Sequence, residues 1–304
     1  MQKRFKILLA TDYSEAALNA ERYAVEFAKN TNSEIKIIHA YEIPLSYTPA
    51  KPIEFSKSRD DFQKSELKRL KQHFEKLLQS VNIKPDDLNH QCEVREGSAA
   101  GTISEDAEVW YPDFIIVGTH GVSGFREVLF GTHTWELIKK SGFPVLAIPI
   151  NAEFKKLKNI VFAIEQRDGE IPAIQFLIKL AAEFKANLTV LHVANNVVTK
   201  EVETVMFNDF MKDVNVHPSS KQLKSELYYH DDTLEGLNEY CSKNQAEWLV
   251  VSHEEPSLLE RIVMQDYSTT QKISFKTHIP LLSIPDYYNP DNASFWNMFD
   301  IDNK

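Results

Sequence analysis

The chain has 304 residues, enough for two domains of ordinary size, and its 43% hydrophobic content can supply a core for each. The formal net charge of −10 disfavours a nucleic-acid partner, and it divides into −2 for residues 1–151 and −8 for residues 152–304. We expect a cytoplasmic protein with no membrane partner, since no segment suits a signal peptide or a membrane helix. The two cysteines lie in different halves, which argues against a disulfide framework or a zinc cluster.

The first half reads as short apolar runs separated by amphipathic segments. Such runs are typical of parallel strands that are buried on both faces and covered by helices. Ser14 is the predicted N-cap of the first helix, because its hydroxyl can accept from the free amides of the opening turn. Strands are predicted near 5–10, 35–40, 91–95, 113–117 and 144–148, with helices near 15–30, 59–80, 100–109 and 132–141.

The second half repeats the first. Residues 6–12 match residues 159–165, and residues 35–40 match residues 188–193, in both cases with a displacement of 153. This repetition predicts a tandem duplication of an α/β domain, each copy with a doubly wound, five-stranded parallel sheet. The second set of strands is predicted near 159–164, 188–193, 224–229, 247–252 and 280–284.

The repeat sets the predicted domain boundaries. One domain is expected at residues 1–151 and another at 152–285, joined by a short charged linker at about 151–158. Residues 286–304 form a tail rich in Asn and Asp. Four large apolar residues in the tail predict that it packs on the protein: Phe295, Trp296, Met298 and Phe299.

A glycine-rich segment follows the fourth predicted strand. It holds Gly118, Gly121, Gly124 and Gly131, four of the nine glycines in the chain. Glycines permit positive φ and a close approach to a ligand, and the helix that opens at Gly131 can bind phosphate at its N-terminus. A Walker loop is excluded because Gly-Lys-Ser/Thr does not occur, and a dinucleotide fingerprint would follow the first strand. The alternative is a long loop that needs several tight turns.

The spacing of this segment resembles the ATP-binding signature of the universal stress protein family. The pattern is Gly118-x2-Gly121-x9-Gly131-Thr132, preceded by an apolar strand at 115–117. Residues 10–14, Ala-Thr-Asp-Tyr-Ser, resemble the opening motif of the same family. The resemblance covers the first half from end to end and extends to the strands of the second half. It implies a Rossmann-like fold of the kind found in adenine nucleotide alpha hydrolases.

The resemblance also implies an ATP site, with magnesium carried on the phosphates. Asp12 would accept from a ribose hydroxyl, Thr11 would lie against the adenosine, and Ala40 would line the adenine pocket. His133 stands where the family usually has a small apolar residue, so its bulk would either crowd the phosphates or add a contact. The remaining expected ligand contacts are Ala10, Val117, Gly118, Gly121, Gly131, Thr132 and Thr134. For Asp12, Thr11 and Thr134 the alternative is ordinary turn or cap chemistry.

The corresponding segment of the second half, residues 252–268, contains no glycine. Glu254 and Glu255 stand where phosphates would lie, and like charges there are unfavourable. Glu165 keeps the acidic character of Asp12. We therefore expect no ATP in the second half, which would act as a pseudo-dimer partner of the first or bind another small ligand. A homodimer of the whole chain is a further alternative.

These observations predict a nucleotide-binding stress or regulatory protein. Hydrolysis would be slow at most, because no catalytic base, arginine finger or set of metal-binding carboxylates accompanies the glycine-rich segment. One alternative is a scaffold that binds no nucleotide and acts through protein partners. Another is an enzyme related to adenosine-phosphate hydrolases, but the chain has neither a Ser-Gly-Gly loop near the first strand nor a His-x-Gly-His motif.

Overall fold

The computed structural model describes residues 5–43, 52–119, 131–195, 199–214, 223–253, 258, 279–286 and 288, with side chains from residue 58 in the second range. These residues form two compact units, divided between Phe154 and Lys155. Within these ranges, no helix has both the length and the apolar character needed to cross a membrane.

The first unit is a parallel sheet covered by helices. Its strands are hydrogen-bonded in the order β3-β2-β1-β4-β5, so the direction of winding reverses between β1 and β4. The elements in chain order are β1 (Lys6–Ala10), α1 (Glu15–Thr31), β2 (Glu34–Tyr41), α2 (Pro52–Ser80), β3 (Asn89–Glu96), α3 (Ala99–Trp110), β4 (Phe114–Gly118), α4 (Thr132–Lys140) and β5 (Val145–Ile148).

The second unit has the same strand order. Its strands pair in parallel as β8-β7-β6-β9-β10, which confirms the predicted two doubly wound, five-stranded parallel sheets. Its elements are β6 (Asn159–Ala163), α5 (Ile171–Phe184), β7 (Asn187–Ala194), α6 (Lys200–Asp213), β8 (Leu223–Tyr229), α7 (Thr233–Lys243), β9 (Trp248–His253) and β10 (Leu281–Pro285).

The central strands are buried on both faces. In β1, Ile7, Leu8 and Leu9 are inaccessible to solvent, and so are residues 114–116 of β4. Both faces of a central parallel strand meet helices, so both must be apolar. This is why these strands appear in the sequence as continuous apolar runs rather than as alternating patterns.

The ends of the helices follow local rules. Ser14 caps α1 as predicted, and its Oγ accepts from the amide of Ala17 at 3.1 Å. The helix α1 ends at Thr31, and the capping residue Asn32 has a left-handed φ of 50°. The helix α2 begins at Pro52, several residues before the predicted start at 59, because proline is well suited to the first helical position.

The boundary between the units falls inside the predicted linker. The side-chain amide of Asn19 donates to the carbonyls of Pro149 at 2.8 Å and Ala152 at 2.9 Å, and Phe154 packs edge-on against Tyr23. These contacts hold residues 149–154 on the first unit. In the second unit, two residues assigned to the tail by sequence also pack: Asp286 pairs with Arg167, and Tyr288 lies against Phe176. The four large apolar tail residues lie outside the described residues.

Gly118 is required by packing. A Cβ atom at this position would lie 2.6 Å from the carbonyl carbon and oxygen of Ala16, in the first turn of α1. Among the described glycines only Gly97 has a left-handed φ, and Gly131 has a φ of −65°. Neither Gly118 nor Gly131 therefore uses the positive φ that glycine permits. At Gly118, the missing side chain lets β4 approach the backbone of α1.

We predict that Gly118→Ala lowers the free energy of unfolding by roughly 1 to 3 kcal/mol, the usual cost of overpacking. Gly142→Ala is the matched control, because a Cβ atom there meets nothing within 4 Å. It should be neutral or stabilising by up to ~1 kcal/mol. Urea denaturation of both variants measures the difference, and equal stabilities would contradict the packing explanation.

Candidate functional site

The predicted site residues follow the carboxyl ends of neighbouring strands. The strand β1 lies between β2 and β4, with Leu9 beside both Ile37 and Ile116. Asp12 therefore leaves the sheet where the winding reverses, next to the end of β4 at Gly118. In open α/β sheets, ligands generally bind in the crevice at such a reversal.

Thr11 is tied to the protein through every polar atom. Its amide donates to the carbonyl of Ile38 at 3.0 Å, and its hydroxyl donates to the carboxylate of Glu21. Its carbonyl accepts from Nδ1 of His39 at 2.8 Å. Thr11 is also buried. Its hydroxyl thus holds the turn in place, which is the turn chemistry that the sequence left as an alternative.

Asp12 lies in a tight turn with its side chain exposed. Its Oδ1 accepts from the amide of Ser14 at 2.9 Å, so the carboxylate has a defined orientation. The next residue, Tyr13, has a φ of 63°, and its amide donates to the Thr11 hydroxyl at 3.1 Å. This conformation is uncommon for a bulky residue and turns the chain sharply into α1.

A buried polar cluster supports this turn. Glu21 is inaccessible to solvent and accepts from Nε2 of His73 at 2.7 Å as well as from Thr11. The ring of Tyr13 lies 4.4 Å from that of His39 and 4.9 Å from that of His73. Burial raises the pKa of the Tyr13 hydroxyl, so it stays protonated at neutral pH.

Sequence reasoning did not identify this cluster. Glu21 lies on the buried face of α1 between Ala17, Ala20 and Ala24. A single acidic residue within an apolar helical stripe is the one signal that could have revealed it. The partners of Glu21 could not be read from the chain, because Thr11 and His73 belong to different elements.

The two described ends of the glycine-rich segment are joined by hydrogen bonds. The amide of Thr119 donates to the carbonyl of Ile148 at 3.1 Å, and the amide of Gly131 donates to the carbonyl of Thr119. The buried hydroxyl of Thr134 donates to the carbonyl of Gly118 at 2.8 Å, which links α4 to the end of β4. Gly121 and Gly124 lie outside the described residues.

The N-terminus of α4 has the character of an anion site. Gly131 is its N-cap and contributes no side chain, and the first turn contains no acidic residue. The amides of a first helical turn have no partner within the helix, and the helix dipole adds positive potential there. Thr132 and His133 are exposed in this turn. Among the described residues, no group of three His, Cys, Asp or Glu side chains is placed to hold a metal.

The second unit repeats the histidine hydrogen bond of the first unit, but its acidic residue has different contacts. The carbonyl of Ile164 accepts from Nδ1 of His192 at 3.0 Å, as the carbonyl of Thr11 accepts from His39. Glu165, at the position equivalent to Asp12, accepts the amide of Leu258 at 3.0 Å. The equivalent carboxylate is thus already engaged by its own chain. Glu254 and Glu255 lie outside the described residues.

Comparison with known proteins identifies the family. The sequence model of the universal stress protein family matches residues 3–149. A universal stress protein of Methanocaldococcus jannaschii is 31% identical over 145 residues, which cover 47% of this chain and 81% of that protein. A universal stress protein A homologue of Coxiella burnetii is 31% identical over 152 residues, covering 49% of this chain and 95% of that protein.

The fold comparison extends over both units. The crystal structure of a universal stress protein from Archaeoglobus fulgidus aligns with a TM-score of 0.61 at 14% identity, covering 92% of this chain and 98% of that one. At this identity the match reports the fold alone. Together with the sequence matches over the first unit, these findings show that the chain belongs to the universal stress protein family.

Proposed function

We propose that the first unit binds ATP and that the protein acts in the cytoplasm as a nucleotide-dependent stress or regulatory protein. The observation that carries the proposal is the position of Asp12 at the point where the sheet reverses, beside the strand that leads to the N-terminus of α4. A carboxylate suits ribose hydroxyls, and a helix N-terminus suits phosphates. Ala40, half-buried near the end of β2, would line the adenine pocket.

The described residues support binding more than rapid hydrolysis. Phosphoryl transfer needs a positioned base and groups that neutralise the developing charge. The first turn of α4 offers only Thr132, His133 and Thr134, and the hydroxyl of Thr134 is already bound to Gly118. Magnesium would be coordinated by the phosphates and by water, since it commonly keeps several waters and has few protein ligands.

We further propose that the two units are tandem copies and that the second has lost ATP binding. Two features support the loss of ATP binding. The segment after β9 has no glycine, and Glu165 is engaged by the amide of Leu258. A triphosphate would also meet the negative charge of Glu254 and Glu255.

The direct test is to purify the full chain without added ligand, denature it and identify any released nucleotide. We expect about one adenine nucleotide per chain, held by a single helix N-terminus. Asp12→Asn should weaken ATP binding about tenfold, as for a lost charge-assisted hydrogen bond, when measured by calorimetry. Asp209→Asn, an exposed carboxylate on α6, is the control. Two equivalents per chain would refute the loss of ATP binding in the second unit, and none at saturating ATP would favour the scaffold.

The phosphate end of the site is tested by Thr132→Glu. A glutamate in the first turn of α4 interacts favourably with the helix dipole but repels a triphosphate. The variant should keep or gain stability while ATP affinity falls at least about tenfold, and Thr132→Gln should bind nearly as wild type. Thermal melting and calorimetry give the two readouts. Unchanged ATP affinity in Thr132→Glu would place the phosphates elsewhere.

The turn that carries Asp12 is tested by Thr11→Val, which leaves the buried Glu21 without one of its donors. We expect a stability loss of about 1 to 3 kcal/mol and a several-fold weaker ATP affinity, with recovery of both in Thr11→Ser. Thr31→Val removes a comparable hydroxyl bond, to Phe27 at the far end of α1. If Thr31→Val weakens ATP binding equally, the effect on affinity comes from general destabilisation.

A further inference from the structure

His39 holds the turn that carries Asp12 from the side of the second strand. In the parallel pairing of β1 with β2, His39 lies one residue beyond the last pair, and so does Thr11. Nδ1 of His39 lies 2.8 Å from the carbonyl oxygen of Thr11. A carbonyl can only accept, so Nδ1 carries a hydrogen and donates it.

This hydrogen bond fixes the backbone of Asp12 as well as that of Thr11. The carbonyl of Thr11 and the amide of Asp12 belong to one planar peptide group, so an orientation imposed on the carbonyl is imposed on the Cα atom of Asp12 too. Oδ1 of Asp12 accepts from the amide of Ser14 at 2.9 Å, which sets the side chain on this backbone. The direction of the Asp12 carboxylate therefore depends on the bond from His39.

The imidazole ring of His39 is itself held by neighbouring groups. The centres of the His39 and Tyr13 rings lie 4.4 Å apart, and the guanidinium of Arg69 lies 4.4 Å from the centre of the Tyr13 ring. Nε2 of His39 lies 3.8 Å from a carboxylate oxygen of Glu66, which is 3.6 Å from Arg69. Only 12% of the His39 side chain is exposed. A ring enclosed in this way keeps Nδ1 directed at Thr11 before a ligand binds, and such preorganisation favours affinity.

The second unit contains the same bond next to a different acidic residue. Nδ1 of His192 lies 3.0 Å from the carbonyl oxygen of Ile164. The bond is therefore a feature of the turn in both units and is not by itself evidence of a ligand. The residue that follows differs, because Asp12 is exposed whereas Glu165 accepts the amide of Leu258. The bond in the second unit thus serves as a matched control within the same chain.

We propose, on the basis of the ATP site proposed above, that His39 is a positioning residue of that site. Its Nδ1 hydrogen holds the carbonyl of Thr11, and the peptide group between Thr11 and Asp12 then directs the Asp12 carboxylate at the ribose. His39 acts through the backbone, with no contact of its own to the nucleotide. A positioning role differs from a purely stabilising one because ATP affinity depends on which ring nitrogen is replaced.

Two variants of His39 separate the two ring nitrogens. His39→Asn places an amide nitrogen where the ring has Nδ1, and His39→Gln places one where the ring has Nε2. Calorimetry of the full chain with ATP should show about tenfold weaker binding for His39→Gln, and binding within about threefold of wild type for His39→Asn. His192→Gln removes the matching bond in the second unit and should leave ATP affinity unchanged. Equal ATP affinities of the two His39 variants would overturn the proposal.

A double-mutant cycle shows whether His39 acts through Asp12. If it does, His39→Gln has little further effect when Asp12→Asn is already present. The combined loss of affinity should then stay well below the roughly hundredfold product of the two single losses. Thermal melting confirms that each variant is folded at the temperature of the calorimetry. Single losses that multiply in the double variant would mean that His39 does not act through Asp12.

The wild-type chain offers a measurement that does not depend on the folding of any variant. In NMR spectra of the imidazole nitrogens, Nδ1 of His39 should carry a hydrogen, and a neutral ring with its hydrogen on Nε2 would contradict the positioning role. Titration of the wild-type chain with ATP tests the site itself. If the wild type binds ATP and His39→Gln binds it equally well, the positioning role is refuted and the ATP site stands. If the wild type binds no ATP, both are refuted.

Discussion

The same hydrogen bond holds the turn after the first strand in both units, and it runs from a histidine of the second strand to the carbonyl of the residue that follows the first strand. In the first unit, His39 donates to Thr11, and in the second, His192 donates to Ile164. This bond fixes the direction in which the chain leaves the sheet. Two residues further on, Tyr13 in the first unit and Gln166 in the second have the same left-handed φ of 63°. The backbone turns there towards the helix that follows. The acidic residue in between, Asp12 or Glu165, therefore lies at the carboxyl end of the central strand.

Beyond this shared bond the two units use different carboxylates to support the turn. In the first unit, the buried Glu21 reaches back from α1 to the hydroxyl of Thr11 and to His73. In the second, Glu170 accepts the amides of Glu165 and Arg167 within the turn itself. The first arrangement leaves Asp12 exposed beside a helix N-terminus suited to phosphate. In the second, the carboxylate of Glu165 accepts the amide of Leu258.

Several residues of the predicted ligand motif also make contacts inside the protein. The absent side chain of Gly118 allows contact with the backbone of α1, and the hydroxyl of Thr134 bridges back to Gly118. Thr11 is consumed by internal hydrogen bonds in the same way. The residues of such a sequence motif can therefore be required by packing within the fold as well as by contacts with a ligand. Asp12, Thr132 and His133 differ, because their side chains are exposed.

The sequence by itself determined the class of fold, the strand positions to within one or two residues and the position of Asp12 after the first strand. These follow from local patterns, since strands buried on both faces must be continuous apolar runs. Only the tertiary structure decided which polar groups form hydrogen bonds inside the protein and which face solvent. The partners of Thr11, Gly118 and Glu165 lie in other elements, and the packing of helices on the sheet brings them together. No spacing along the chain encodes those distances.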